Sequence, residues 1–154
     1  MNYSKLMQLR GLTLILLLGT LYSCTHPSPV AATEYGNKDV TITRVYDGDS
    51  LTASVPDWPL VVGSKIPVRV YGIDTPELNG KCAEEKEKAL MAKTFTSNFV
   101  NGKLVTLKNI QRDKYFRLLA NVYVGNGSLA ESLINAGLAR PYFGGTKASW
   151  CNLL

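Results

Sequence analysis

A mainly β, α+β fold is predicted for this chain: a five-stranded barrel with two to three packed helices. Three observations predict it. Five short segments rich in β-branched residues lie between turn signals, two segments carry helical spacing, and all of them fall within residues 39–151 of a 154-residue chain. A hydrophobic content of 45% is ordinary for a globular domain with a real core.

Asp39–Tyr46 (Asp-Val-Thr-Ile-Thr-Arg-Val-Tyr) alternates and reads as the first strand. Asp47-Gly48-Asp49 is a turn signal that carries two carboxylates, and Ser50–Val55 is the returning strand. Pro56–Ser64 reads as a loop. Ile66–Ile73 is a third strand, broken by Asp74-Thr75-Pro76-Glu77. Glu84–Val100 places acids first and Leu90, Met91, Phe95 and Phe99 at helical spacing, so it is a helix, stopped near Asn101-Gly102. Leu104–Ile110 is a fourth strand, and Leu119–Val124 a fifth, with Arg117 at its opening. After the Gly125-Asn126-Gly127 turn, Ser128–Ala136 is a second helix, with Ser128 as N-cap, Glu131 completing a capping box and Gly137 as its stop. This order is the outline of an OB-fold, a barrel that hosts enzymes and simple binding modules alike.

The first 23 residues have a different character. Lys5 and Arg10 precede an apolar run, Leu12–Leu18, too short for a good membrane span. Leu21-Tyr22-Ser23-Cys24 then resembles a bacterial lipobox, whose cysteine becomes the lipidated first residue. The expected organisation is a lipoprotein-type signal peptide over 1–23, a tether over 24–38 and one domain over 39–151. The expected location is the cell envelope, by an N-terminal lipid anchor on the membrane. Cleavage after Ala32 is the alternative and gives a soluble secreted or periplasmic protein.

The chain has three cysteines. If Cys24 takes lipid, Cys82 and Cys151 remain, either as a disulfide in an oxidising compartment or as two unpaired buried thiols. No CxxC or Cys/His cluster is present to suggest a cysteine-bound metal. The net charge of +5 and pI near 9.1 favour anionic partners. Two of those charges lie in the first 23 residues, so bulk charge is a weak clue and the placement of single arginines matters more.

His26 is the only histidine and falls in the tether. Histidine general-base mechanisms and histidine-ligated zinc are thereby set aside, and any hydrolysis must run on carboxylates, arginines and a hard metal ion. Asp47 and Asp49 share a tight turn, and Asp74 and Glu77 flank Thr75-Pro76. Pro76 restricts Thr75 to extended geometry and so fixes the carbonyls there. Two carboxylates and a carbonyl suit Ca²⁺, bound weakly at roughly 10⁻⁴–10⁻³ M as in extracellular modules. Asp-Gly-Asp by itself is equally a hairpin turn. Arg69 lies mid-strand between Val68 and Val70, and Arg117 follows Asp113-Lys114-Tyr115-Phe116. Guanidinium forks grip phosphate oxygens, although each arginine taken singly also suits a structural salt bridge.

Taken together, Val45-Tyr46-Asp47-Gly48-Asp49-Ser50, Val68–Glu77 (Val-Arg-Val-Tyr-Gly-Ile-Asp-Thr-Pro-Glu) and Asp113-Lys114-Tyr115-Phe116-Arg117 resemble the staphylococcal nuclease family in order and spacing. Gly137-Leu138-Ala139-Arg140 is similar to the end of that family's core. The resemblance spans Thr41 to Tyr142. It implies a monomeric, calcium-dependent endonuclease acting on DNA and RNA and leaving 3′-phosphorylated ends. It also implies that Asp49, Asp74 and the Thr75 carbonyl hold Ca²⁺, and that Glu77 is the general base toward water. Arg69 and Arg117 would bind the phosphate, with Lys114 and Tyr115 contacting a terminal phosphate.

The chain departs from the family at Phe116 and Leu118, where glycine is usual, so a strained Phe116 and a different path for the loop before Arg117 are expected. Pro56–Ser64 is built differently, and no long helix follows the core. Cys151 is expected to tie that end back to Cys82. Tyr142 and Phe143 are candidates for base stacking or for core packing. Two other functions fit the same barrel: a catalytically silent OB-fold that binds nucleic acid or a protein partner, and a lipid-anchored structural protein.

Overall fold

Alternation of buried and exposed side chains, strongest where β-branched residues cluster, curls the sheet around a single apolar interior. The computed structural model describes residues 35–151. The signal segment, Cys24, His26 and most of the tether lie outside the described residues. In chain order the elements are β1 (Lys38–Val45), β2 (Ser50–Ser54), α1 (Leu60–Gly63), β3 (Ile66–Val70), β4 (Ile73–Asp74), α2 (Ala83–Val100), β5 (Val105–Arg112), β6 (Leu118–Val124), β7 (Gly127–Ser128), α3 (Leu129–Asn135) and β8 (Arg140–Pro141).

Five of these strands close a barrel. β2 pairs antiparallel with β1 and β3, β5 pairs antiparallel with β1 and β6, and a parallel β3–β6 seam completes the ring. Closure leaves no free edge among the five. Inside lie Leu51, Val68, Val70, Leu107, Leu118 and Val122, all nearly inaccessible. Each such side chain contributes about 1.5–3 kcal/mol relative to exposure. The three-helix, mainly β arrangement is the predicted OB-fold.

Four local features differ from the sequence reading. The loop 56–64 contains the short α1, whose Leu60 and Val61 face solvent. The predicted third strand stops at Val70: Gly72 takes a positive φ of 81°, and the chain restarts as β4 to pair with β8. The fourth strand runs on to Arg112, past an irregularity between Lys108 and Gln111 where Asn109 has φ 52°. The fourth difference is the inner face of α2. Leu90 and Met91 are exposed, and the helix buries Glu85, Ala89, Ala92, Thr96 and Val100 instead. Small side chains let the helix axis lie close to the Asp47–Asp49 turn, which larger ones would push away.

The end of α3 follows the prediction closely. The Glu131 N–H donates to Ser128 Oγ at the N-terminus (3.3 Å). At the C-terminus Gly137, φ 67°, donates to the Ile134 carbonyl, and the Leu138 N–H donates to that of Leu133. These two bonds form a Schellman cap, which needs the left-handed conformation that glycine adopts without strain.

Cys82 and Cys151 form a disulfide, with Cα atoms 5.9 Å apart and a sequence separation of 69. It staples the segment after β8 to the start of α2. Cross-linking a loop of this length restricts the unfolded chain, so replacing both cysteines by serine is expected to lower the unfolding free energy by about 2–4 kcal/mol, read by denaturant titration under non-reducing conditions.

Candidate active site

The β1–β2 turn is built to present carboxylates inward. The Asp49 N–H donates to Asp47 Oδ1 (3.1 Å), an Asx-type bond that tightens the turn. The Val70 N–H donates to the Asp49 carbonyl (2.9 Å), which pins the turn to β3. Thr96 Oγ1 of α2 donates to the Gly48 carbonyl (2.7 Å). A Cβ at position 48 would lie 2.8 Å from both Ala92 Cβ and Thr75 Cγ2, so only glycine fits between helix and loop.

Asp49 is 1% exposed, and its carboxylate joins two other elements. Oδ2 accepts from the Thr75 N–H (2.9 Å), and Oδ1 pairs with the Arg69 guanidinium. Arg69 projects from β3 between inward-facing Val68 and Val70 and also donates to the Ile73 carbonyl (3.2 Å). The same terminal nitrogen, Nη2, lies 3.7 Å from Asp74 Oδ1. Burial pushes the Asp49 carboxyl up to about 7; Arg69 opposes the rise, Asp47 adds to it and the Thr75 hydrogen bonds oppose it.

Asp74 is 4% exposed. Its Oδ2 accepts from the Trp150 indole N–H (3.0 Å). Lys147 Nζ lies 2.6 Å from Oδ1, but outside hydrogen-bond geometry, so Oδ1 has an ion-pair partner and no directed donor. The same ammonium donates to Glu77 Oε1 (2.9 Å). Burial alone would lower the Lys147 pKa, but its contacts with Asp74 and Glu77 outweigh burial and hold it above the ordinary lysine value. Glu85, buried at the start of α2, accepts from the Lys81 N–H (2.9 Å) and the Glu77 N–H (3.4 Å) and so shapes the loop that carries Glu77.

Arg117 reaches the same region from the β5–β6 hairpin. The Phe116 N–H donates to the Asp113 carbonyl (3.0 Å), and Phe116 takes φ 68°. A tight turn followed by a left-handed residue closes this three-residue hairpin. The expected positive φ at Phe116 is present, and the turn holds it there. Asp113 explains why: Oδ1 accepts the Tyr115 and Arg117 N–H groups (2.9 Å each), and Oδ2 accepts Arg117 Nε (2.7 Å). Burial pushes the Asp113 carboxyl up slightly, and the Arg117 bonds outweigh it and hold it below the ordinary carboxylate range. Among the described residues the two terminal nitrogens of Arg117 have no hydrogen-bond partner.

Arg69, Glu77, Lys114, Tyr115, Arg117 and Lys147 all line one cleft of about 680 Å³, and buried Asp49 and Asp74 pair with its lining residues Arg69 and Lys147. Aromatic rings rim it: Tyr46 and Tyr115 are exposed, each with an arginine within cation–π range (5.6 and 5.5 Å). Tyr142 lines the cleft, and Phe143 is exposed beside Tyr71, which removes core packing as its role.

The donor set fits a hard divalent cation. Two buried carboxylates and a main-chain carbonyl are all oxygen ligands, and Asp74 Oδ1 lacks a directed donor. A second convergence, Cys82, Glu85 and Cys151, offers no soft metal site, because its two sulfurs are bonded to each other. The eight predicted site residues from 49 to 117, leaving the cysteines aside, divide simply: Asp49, Arg69, Asp74, Thr75 and Glu77 converge through hydrogen bonds and ion pairs, and Lys114, Tyr115 and Arg117 line the cleft with Arg69 and Glu77. Sequence reasoning missed Lys147, Trp150 and Glu85. The only signal was that Trp150 adjoins Cys151.

The family model described as "Staphylococcal nuclease homologue" matches residues 67–149. Endonuclease YncB of Bacillus subtilis (strain 168) is 35% identical over 111 residues, covering 66% of this chain and 47% of the relative. The SPbeta prophage-derived endonuclease YokF of the same organism is 36% identical over 111 residues, covering 66% and 33%. A thermonuclease of Staphylococcus intermedius is 26% identical over 135 residues, covering 86% and 77%. The chain thus spans less than half the length of the first two relatives.

Two substitutions check this local construction. Gly48→Ala is expected to cost about 1–3 kcal/mol by overpacking, measured by thermal or denaturant unfolding. Phe116→Gly is expected to raise stability by up to about 1 kcal/mol, because it removes a side chain held at positive φ.

Proposed function

Because the chain belongs to the staphylococcal nuclease family, we propose that it is a calcium-dependent endonuclease that hydrolyses phosphodiester bonds of DNA and RNA with little sequence preference and leaves 3′-phosphates. One observation carries this reading: buried Asp49 and Asp74 converge on Arg69, which lines the same cleft as Arg117. The relatives named endonuclease and thermonuclease support it.

Asp49, Asp74 and the Thr75 carbonyl would hold the Ca²⁺, which when bound supplies positive charge to polarise a phosphoryl oxygen. The protein's own groups do the rest. Arg117 is anchored through Nε, so its terminal nitrogens are oriented toward the cleft for bidentate contact with phosphate oxygens. Arg69 is held by Asp49 and the Ile73 carbonyl and offers a second fixed guanidinium. Fixed donors stabilise the extra charge of a five-coordinate phosphorus without reorganising. Glu77 is half-exposed at the cleft and takes the proton from the attacking water. Exposed Tyr46 and Tyr115 give flanking bases stacking surfaces of about 1–3 kcal/mol each, which are sequence-tolerant.

The disulfide suits an oxidising compartment and so supports export. The lipid anchor at Cys24 rests on the Leu21–Cys24 motif.

The test is incubation with plasmid DNA and with RNA, in Ca²⁺ or in chelator. Cleavage in Ca²⁺ alone is expected, with products that a polymerase extends only after phosphatase treatment. Arg69→Ala and Arg117→Ala should each lower kcat by about 10²–10³, and Glu77→Ala should lower it as well. Binding of nucleic acid with no cleavage at any Ca²⁺ concentration overturns the enzyme reading in favour of a silent binding module.

A further inference from the structure

The segment after β8 brings a lysine to the carboxylates by a route that no nuclease motif requires. It is held at several points. Arg140 Nη1 donates to the Ser149 carbonyl (2.8 Å), and the Arg140 guanidinium lies 3.8 Å from the Trp150 ring centre. The Trp150 indole donates to Asp74 Oδ2, and Cys151 is bonded to Cys82. Tyr142 Oη donates to the Gly145 carbonyl (2.9 Å) where the chain turns through Gly144 and Gly145 at positive φ. Between these anchors Lys147 reaches in, with Nζ 2.6 Å from Asp74 Oδ1 and 2.9 Å from Glu77 Oε1.

Buried carboxylates need a counter-charge, since an unpaired buried charge is costly. Asp49 has Arg69. Asp74 has Arg69 only at 3.7 Å, and Lys147 is its closest cation. The Trp150 bond occupies Oδ2, so the ammonium stands at the one Asp74 oxygen left for a cation.

We propose that Lys147 is a tethered counter-ion that competes with the divalent cation for Asp74 and Glu77, and so sets the metal affinity of the site. This inference rests on the calcium site described under Proposed function. Without metal the ammonium neutralises the carboxylates and keeps the base of the cleft closed. A divalent ion must displace it, and the four-carbon stem lets the ammonium move while the strap stays pinned. Because the lysine is covalently part of the fold, it competes at an effective concentration that dilution cannot lower. Trp150 is a positioning residue in this arrangement: it holds Asp74 so that Oδ1 faces the cation.

The experiment is calorimetric titration of Ca²⁺ into the full chain and into Lys147→Met and Lys147→Arg, at one pH and ionic strength, with thermal melting in chelator and in saturating Ca²⁺. Lys147→Met is expected to bind Ca²⁺ about tenfold tighter, the effect of removing one unit charge from the binding position. It should melt below the native protein in chelator and gain more from Ca²⁺ than the native protein does. Lys147→Arg should stay near native. Unchanged or weaker Ca²⁺ binding by Lys147→Met overturns the proposal, even if the native protein cuts DNA. An affinity gain without cleavage by the native protein leaves this inference standing and overturns the nuclease reading. No Ca²⁺ binding by any of the three proteins overturns both this inference and the calcium site.

Discussion

The Asp49 carboxylate is the interaction on which the site depends. It is buried, and each of its oxygens is engaged by a different stretch of chain, one by Arg69 of β3 and the other by the Thr75 N–H. A buried carboxylate in this position is tolerable only while those partners hold, which is why burial drives its pKa upward against their pull. The β1–β2 turn, the middle of β3 and the loop after β4 therefore hold one another in place. Gly48 makes the contact close enough, and Thr96 of α2 seals it from behind.

The second half of the cleft is organised by the same kind of device at lower cost. The Asp113 side chain is only 13% exposed, and its grip on Arg117 combines a charge-assisted bond with the geometry of the turn. Three donor atoms of a tight hairpin converge on one carboxylate, and the arginine leaves the turn in a set direction. This grip also explains how a phenylalanine can stand at a position where glycine was expected. The turn's hydrogen bonds hold φ positive at Phe116 whatever side chain is present, and Arg112 adds a bond to its carbonyl (2.8 Å).

Much of this was legible in the residues. Alternation marked the five barrel strands, and the Ser128 cap with Gly137 marked α3 to within a residue. The carboxylates and arginines stood out because a charge inside an apolar strand, such as Arg69, needs a reason. What was not legible depended on distance between elements. The α2 stripe was misjudged because apolar residues at helical spacing do not reveal that steric closeness selects alanine and threonine for the inner face. The break at Gly72 was hidden by a continuous apolar run. Lys147 carried no local signal, because its meaning comes entirely from a disulfide and an indole that fold it back onto residues more than sixty positions earlier.

The parallel seam between β3 and β6 has a consequence for how such a domain tolerates change. Val68 lies opposite Leu118 and Arg69 opposite Leu119, so the two guanidinium-bearing stretches are gauged against each other by the barrel's own stitching. Side chains alternate in and out along both strands, so adding or deleting one residue in either would rotate an arginine into the oily interior and a valine out toward solvent. Length variation is thereby channelled into the connections, such as the stretch around α1, while the two stitched strands drift only by substitution.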